Sequence, residues 1–270
     1  LPRLLARGGN FGTALGEGMI CWQSVPTPVP STLLPKQNVR LRYQRSRRSF
    51  HTVLRSTLKG GTHAGVTLAA DGPSQMSLPD VAFFRSFCHT KNYAGETAVR
   101  YFFPADGISA YKQTELIANL VGCCYLRALR ADTKALYKTT DTFESGGYKV
   151  LREGKDGVFV TAGYMVHECL KAAEELAKNG KNFGVIDAYS LPFANNGILE
   201  AAGKQGNRII TVEDNYTGGL DAEIATAIAT SGAQIKFKAL YVRKIPKSGR
   251  EPQDVLDYLS LGSKAICAAV

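Results

Sequence analysis

The feature that most constrains the fold is a regular alternation of strand-like and helix-like segments in the second half of the chain. Strand-like segments occur at residues 157–161, 183–188, 208–212 and 235–241, and the first of them is typical of a buried strand. Segments with the apolar spacing of helices lie between them at residues 165–179, 196–205 and 219–230. Strands and helices that alternate over short connections are typical of a parallel sheet covered on both faces. We therefore predict an α/β fold whose C-terminal unit is a mainly parallel, doubly wound sheet.

A second α/β unit is predicted before this one. Strand-like runs at residues 100–103 and 122–126 alternate with helix-like segments at residues 78–87 and 109–120. The pattern breaks near residues 138–150, as is typical of a linker. We therefore predict three parts, which are an irregular basic leader at 1–57, one α/β unit at 58–147 and the doubly wound unit at 148–270.

The leader differs from the rest of the chain in its charge. The sequence has a net charge of +10, and residues 1–59 account for +9 of it. Prolines clustered between residues 26 and 35 also oppose regular structure. Three interpretations stay open, which are an organelle-targeting peptide, a nucleic-acid-binding arm, and a segment that is disordered or not native coding sequence. Because the remaining residues carry only +1, we expect no nucleic-acid partner for the folded part.

Several function classes are excluded by what the sequence lacks. No run approaches about 20 consecutive apolar residues, so we expect no transmembrane helix and no membrane partner. Glycine motifs of dinucleotide-binding and phosphate-binding loops are missing, as is the nucleophile motif of serine hydrolases. The six cysteines form no CxxC pair and the four histidines no HxxxH pair. We therefore predict no metal site formed by this chain and buried thiols in a reducing compartment.

Three polar residues of a glycine-rich loop, His63, Asp71 and Gln75, are the first candidates for a site. Loops at the strand ends of α/β sheets are where ligands bind. An imidazole, a carboxylate and an amide that converge there would hold a polyhydroxy substrate by directed hydrogen bonds. The alternative is that Asp71 caps a helix and that His63 is an ordinary loop residue.

Two arginines, Arg127 and Arg130, follow the strand predicted at 122–126. Because a guanidinium binds phosphate through two parallel hydrogen bonds, this position suits a phosphate site, and a surface salt bridge is the alternative. Glu213 and Asp214 close the strand at 208–212 and either cap the next helix or line an interface. The basic turn at 241–250 is expected to be solvated surface.

Several motifs together resemble the transketolase family. Sequences similar to the later part of its pyrimidine-binding domain occur at residues 61–66 (GTHAGV), 71–76 (DGPSQM), 84–86 (FRS), 103–107 (FPADG) and 127–130 (RALR). Sequences similar to its C-terminal domain occur at residues 211–216 (TVEDNY) and 242–249 (VRKIPKSG). The resemblance extends in order from about residue 58 to the last residue. The glutamine at position 75 resembles the animal-type members.

The resemblance implies two-carbon ketol transfer between sugar phosphates, in the cytoplasm, by a homodimer that uses thiamine diphosphate and a divalent metal, Mg²⁺ or Ca²⁺. It implies that His63 and Gln75 are catalytic, that His63 contacts the substrate near the cofactor, and that Gln75 contacts the cofactor. Asp71 would bind a donor hydroxyl, and Arg130 would bind the sugar phosphate.

The sequence also departs from the family pattern. The family's diphosphate-and-metal domain has no counterpart here, and residues 1–59 do not resemble the segment that carries the family's activating glutamate. We therefore expect an incomplete and inactive portion of a transketolase, without the main cofactor-binding residues. The alternative is a non-catalytic subunit that pairs with a separate thiamine-diphosphate-binding chain.

Overall fold

The computed structural model describes residues 22–24, 56–58 and 64–270. Strands β1 (Trp22–Ser24) and β2 (Ser56–Leu58) pair antiparallel. The rest of the predicted leader lies outside the described residues, and so does His63. From residue 64 onwards helices and strands alternate, which confirms the predicted α/β class.

The smaller sheet has three strands in the order β4-β3-β8. Strands β3 (Val99–Phe102) and β4 (Cys123–Leu126) are parallel, and helix α2 (Gly107–Ala118) connects them. Helix α1 (Asp80–Cys88) precedes β3 and packs against it. The two-residue strand β8 (Ser190–Leu191) comes from much later in the chain and pairs antiparallel with β3. One edge of the smaller sheet is therefore formed by a segment that follows strands of the larger sheet in the chain.

The larger sheet has five strands in the order β10-β9-β6-β7-β5. They are β5 (Lys149–Arg152), β6 (Val158–Thr161), β7 (Gly184–Asp187), β9 (Arg208–Val212) and β10 (Lys236–Leu240). All are parallel except β5, which joins the edge antiparallel to β7. The connecting helices are α3 (Met165–Lys178), α4 (Gly197–Gly203) and α5 (Leu220–Ser231). This is the mainly parallel sheet that the alternation predicted.

The strand order creates a topological switch point. Strand β6 leads to its neighbour β7 on one side, whereas β9 leads to β10 on the other. The connections therefore diverge between the adjacent strands β6 and β9. In α/β sheets the crevice at the carboxyl ends of two such strands is the usual place for a ligand.

The core lies on both faces of the larger sheet. Strand β6 is buried along its whole length, and the Phe159 ring on it lies 5.0 Å from the Phe183 ring. Helix α3 covers this face with Met165, Cys169 and Leu176, all buried. Burial of the Met165 and Leu176 side chains contributes about 1.5–3 kcal/mol each. The central strands β6, β7 and β9 are therefore almost entirely buried, as expected for strands of a parallel sheet that is covered on both faces.

Some elements were not predicted from the sequence. They are β5, β8 and the two last helices, α6 (Pro252–Leu259) and α7 (Ser263–Ala268). Strands β1 and β2 were not predicted either, because the leader was expected to be irregular. Strand β5 lies at the sheet edge and has no fully buried residue, so its sequence lacks an apolar run. In the part of the chain that the structure describes, no helix is long and apolar enough to cross a membrane.

Candidate functional site

The loop that carries Asp71 and Gln75 forms the first side of the candidate site. Two single 3-10 turns, Ala69–Asp71 and Pro73–Gln75, shape it, and Gly72 joins them. Gly72 has a φ of +82°, a conformation that glycine adopts without steric cost. The second turn starts at Gly72 without a side-chain cap, so Asp71 does not cap a helix. Asp71 is instead exposed, and Gln75 is half-buried in the next turn.

Arg130 brings a positive charge to this loop. It follows strand β4, and its guanidinium forms an ion pair with the Asp71 carboxylate. The structure thus brings together two of the residues that the resemblance assigns to the substrate. Their side chains stay 56% and 33% exposed, so the pair contributes little to stability. Opening it would free a guanidinium for a phosphate and a carboxylate for a hydroxyl group.

A cleft of about 300 Å³ adjoins Arg130 at the carboxyl ends of β3 and β4. Its walls are the loop after β3, the first turns of α2 and the loop after β4, with Pro104, Gly107, Ala110, Leu129, Arg130 and Thr133 among the lining residues. The volume suits a small ligand, because one water molecule occupies about 30 Å³ of the liquid. A ligand here would lie at the strand ends where α/β sheets bind their ligands.

Asp106 fixes one wall of this cleft. Its carboxylate accepts hydrogen bonds from the backbone N–H groups of Ser109 at 2.7 Å, Leu136 at 2.7 Å and Tyr137 at 3.0 Å. The Ser109 hydroxyl in turn accepts from the Asp106 backbone, which completes a capping box at the start of α2. Burial opposes the charge, but these hydrogen bonds outweigh it and lower the pKa of Asp106. The charged Asp106 carboxylate therefore has a structural role, because it binds the start of α2 to the backbone of Leu136 and Tyr137.

Arg127 is buried, unlike Arg130. Its side chain is 3% exposed, and its Nε and Nη1 atoms contact Asp80 Oδ2 at 3.0 Å and Asp214 Oδ1 at 2.7 Å. Its Nη2 atom donates to the Ser77 carbonyl oxygen at 3.2 Å. All three nitrogens of the guanidinium are thus engaged within the protein. The salt-bridge alternative holds for Arg127, although the bridge is buried and not at the surface.

The chain just after His63 is tied to the same place. The Ala64 N–H donates to the Ala128 carbonyl at 3.3 Å, and the Gly65 N–H donates to the Ser77 carbonyl at 3.0 Å. Gly65 also lies against Asp214, since a Cβ atom at position 65 would fall 1.7 Å from Asp214 Oδ2. His63 itself lies outside the described residues, so its predicted role stays a prediction.

Glu213 caps the helix that follows β9. Its carboxylate accepts from the backbone N–H groups of Leu220 at 2.7 Å and Asp221 at 2.8 Å, the first residues of α5. It also accepts from the Asn215 side chain at 3.1 Å. Burial, and then the nearby Asp221 charge, raise the pKa of Glu213 to about 8. Of the two roles predicted for Glu213 and Asp214, helix capping therefore belongs to Glu213.

The basic turn predicted at 241–250 lies beside the Asp71 loop. The Gly249 N–H donates to the Ala69 carbonyl at 3.1 Å. A Cβ atom at Gly72 would lie 2.8 Å from the Ser248 hydroxyl oxygen. The ammonium groups of Lys244 and Lys247 lie over the Tyr258 ring at 5.3 and 4.4 Å from its centroid. The turn supports the Asp71 loop, and its cations are exposed as expected.

The described residues do not by themselves form a metal-diphosphate site. Within residues 64–270, no three or more His, Cys, Asp or Glu side chains cluster so that they would hold a metal ion. The buried Asp80 and Asp214 carboxylates are both bound to Arg127. The part of the chain that the structure describes therefore offers no cluster of side chains for the divalent metal.

Sequence reasoning missed two residues that shape the site, Asp80 and Asp106. Asp106 has a recognisable signal, because an aspartate three residues before Ser109 at a predicted helix start indicates a cap. Asp80 begins α1 but points to Arg127, which lies far away in the sequence, and no local pattern indicates that contact.

Comparison with known proteins gives a consistent result. Residues 146–266 match the family described as "Transketolase, C-terminal domain". Over 213 residues the chain is 38% identical to transketolase-like protein 1 of Bos taurus and 35% identical to transketolase of Homo sapiens. The match covers 78% of this chain but 34% and 33% of those proteins. The chain thus spans about a third of the length of the curated relatives that it matches.

A solved structure shares the fold over most of the chain. It is described as a split gene transketolase in the form of an inactive beta4 tetramer. The TM-score is 0.69 at 24% sequence identity, and the match covers 85% of this chain and 71% of that chain.

Proposed function

We propose that the chain binds sugar phosphates as the substrate-binding part of a ketol transferase. It is related to the transketolases and matches their C-terminal domain at residues 146–266. The observation that carries the proposal is the exposed Asp71–Arg130 pair beside the cleft at the ends of β3 and β4. We assign residues 58–147 to a partial pyrimidine-binding domain and residues 148–270 to the C-terminal domain.

The proposed binding step exchanges one anion for another. The substrate phosphate displaces the Asp71 carboxylate and binds the Arg130 guanidinium through two parallel hydrogen bonds. The released carboxylate then accepts a hydrogen bond from a sugar hydroxyl group. Gln75 and His63 are the proposed contacts at the reacting end of the sugar, where Gln75 also faces the cofactor.

Ketol transfer itself needs more than the described residues supply. We propose that the reaction depends on thiamine diphosphate and a divalent metal held by residues beyond 64–270, and that the 270-residue chain alone is inactive. We further propose that the complete catalytic unit is a homodimer in the cytoplasm. The buried Cys88 and Cys169 thiols are suited to a reducing compartment.

A second candidate is a non-catalytic subunit that pairs with a separate cofactor-binding chain. The observation in its favour is the shared fold with a chain from a split-gene transketolase, of which this chain covers 71%. The two candidates agree on the sugar-phosphate site and differ in where the cofactor is held. Adding a thiamine-diphosphate-binding chain restores ketol transfer only under the second candidate.

Calorimetric titration of the full chain with fructose 6-phosphate tests the proposed function. Fructose, which lacks the phosphate, is the matched ligand. We expect a preference for the phosphorylated sugar that Arg130→Met weakens by at least about tenfold, since it removes a charged hydrogen bond. Lys178→Met is the control, because it removes an exposed cation at the far end of α3. Equal affinity for both sugars, or equal losses in both variants, would contradict the proposal.

A further inference from the structure

We propose that Arg127 is a positioning residue, which holds residues 64–65 and the loop that leads to Arg130 against the C-terminal sheet without touching the substrate. The inference rests on the proposed function. Arg127 and Arg130 follow the same strand and differ by three positions, yet one is buried and the other exposed. Arg127, which is buried, can hold loops in place, whereas Arg130, which is exposed, can bind a ligand.

Arg127 connects its own loop after β4 with two other segments of the chain. Its guanidinium contacts Asp80 at the start of α1, Ser77 in the loop before α1, and Asp214 after strand β9. Tyr101 on β3 adds a hydrogen bond to Asp80 at 3.0 Å. Two carboxylates share one guanidinium in a buried place, so the cluster depends strongly on Arg127.

The bound segments are those that build the site. The Ser77 carbonyl accepts from the Gly65 N–H, and the Asp214 carboxylate occupies the place that a Cβ atom at position 65 would take. Ala128, the residue after Arg127, accepts from the Ala64 N–H. The chain on the carboxyl side of His63 and the loop that leads to Arg130 are therefore fixed relative to each other through Arg127 and its neighbours.

The switch point between β6 and β9 lies beside the site loops. Asp214 follows β9, and Gly163 follows β6. A Cβ atom at Gly163 would contact the Pro104 carbonyl at 3.9 Å and Leu129 at 4.0 Å. His167 Nε2 lies 2.9 Å from the Ala105 carbonyl oxygen. The end of the larger sheet where α/β folds usually bind ligands thus contacts the site loops of the smaller sheet.

These contacts give the C-terminal domain a role in substrate affinity. It supplies Asp214 as an anchor for Arg127, and Arg127 fixes the loops before any ligand arrives. A preformed site binds more tightly because less conformational freedom is lost on binding. A lysine at position 127 keeps the charge but cannot contact three partners through a planar fork.

The test measures loop order and ligand affinity separately in the full chain. Arg127→Lys keeps the buried positive charge, and Asp214→Asn keeps size and one acceptor oxygen. In both variants we expect faster amide hydrogen exchange at residues 64–65 and unchanged exchange in the core of strand β9. We expect the affinity for fructose 6-phosphate to fall about tenfold in Arg127→Lys and about threefold in Asp214→Asn.

Arg208→Lys is the matched control. Arg208 also donates through its guanidinium to a backbone carbonyl and lies over the Phe183 ring, but at the opposite end of strand β9. It should change neither local exchange at residues 64–65 nor sugar-phosphate affinity. Uniformly faster exchange in Arg127→Lys would show a purely structural role and overturn the positioning inference.

The outcomes separate this inference from the proposed function. If Arg130→Met weakens binding while Arg127→Lys leaves exchange and affinity unchanged, the positioning role is wrong and the sugar-phosphate site stands. If the unaltered chain shows no preference for the phosphorylated sugar, both are wrong.

Discussion

Replacing Asp187 by asparagine should make the stability of the protein less sensitive to high pH. Asp187 ends strand β7 and is fully buried, with the Tyr137 hydroxyl donating to its Oδ2 atom at 2.6 Å. Its Oδ1 atom has no hydrogen-bond partner within the described residues. Burial raises the pKa of Asp187 from 3.8 to about 7, although the Tyr137 hydrogen bond opposes the rise. The folded protein therefore favours the neutral acid.

The size of the effect follows from this shift. The pKa of Asp187 is higher in the folded protein than in the unfolded chain. Proton binding by Asp187 therefore stabilises the folded protein fully below about pH 4, and this stabilisation is lost as the pH rises to about 7. A shift of about 3 units at about 1.4 kcal/mol each gives a loss of up to about 4 kcal/mol at pH 8. Asparagine does not ionise, so Asp187→Asn should avoid this loss and still accept the Tyr137 hydrogen bond.

Urea unfolding of the full chain at pH 5, 6, 7 and 8 measures the difference. The free energy of unfolding of Asp187→Asn, relative to the unaltered chain, should rise by about 1.4 kcal/mol per pH unit up to about pH 7 and then level off. Asp257→Asn, at an exposed site of α6, is the control and should show no such slope. A difference that is constant from pH 5 to 8 would refute the reasoning.

Two further substitutions test the contacts around the site. Glu213→Ala removes the acceptor for the first two N–H groups of α5 and should lower the free energy of unfolding by about 2 kcal/mol, measured by urea unfolding. A loss below about 0.5 kcal/mol would show that water replaces this cap. Gly65→Ala places a Cβ atom on the Asp214 carboxylate at a φ of +61°, whereas Gly95→Ala meets open space at a φ of +80°. Thermal unfolding should show a larger loss for Gly65→Ala than the roughly 1–2 kcal/mol expected from backbone strain in Gly95→Ala. Equal losses would mean that the Asp214 contact is unimportant.

The larger sheet could be predicted because its signal is local. Strand β9 was predicted with its observed bounds, Arg208–Val212, since a strand covered on both faces is mostly apolar. Helix α3 was predicted to within a residue because one face packs on the sheet and the other meets water. Edge strand β5 has neither constraint, and the two-residue β8 is too short for any periodic pattern.

The candidate site was only partly accessible from the sequence. The family resemblance assigned both Asp71 and Arg130 to substrate binding, and in the structure their side chains form an ion pair. Sequence position alone did not separate Arg127 from Arg130, because both follow β4. Their difference arises from Asp80 and Asp214, which reach Arg127 from distant segments. Contacts of this kind depend on the tertiary fold and leave no local pattern.

A crystal structure of the full chain with fructose 6-phosphate tests the central claim most directly. The phosphate oxygens should lie within about 3 Å of the Arg130 guanidinium nitrogens, as in a charged hydrogen bond. The Asp71 carboxylate should have left Arg130 for a hydroxyl group of the sugar. An intact Asp71–Arg130 pair with the sugar phosphate bound elsewhere, or not bound at all, would contradict the assignment of this site.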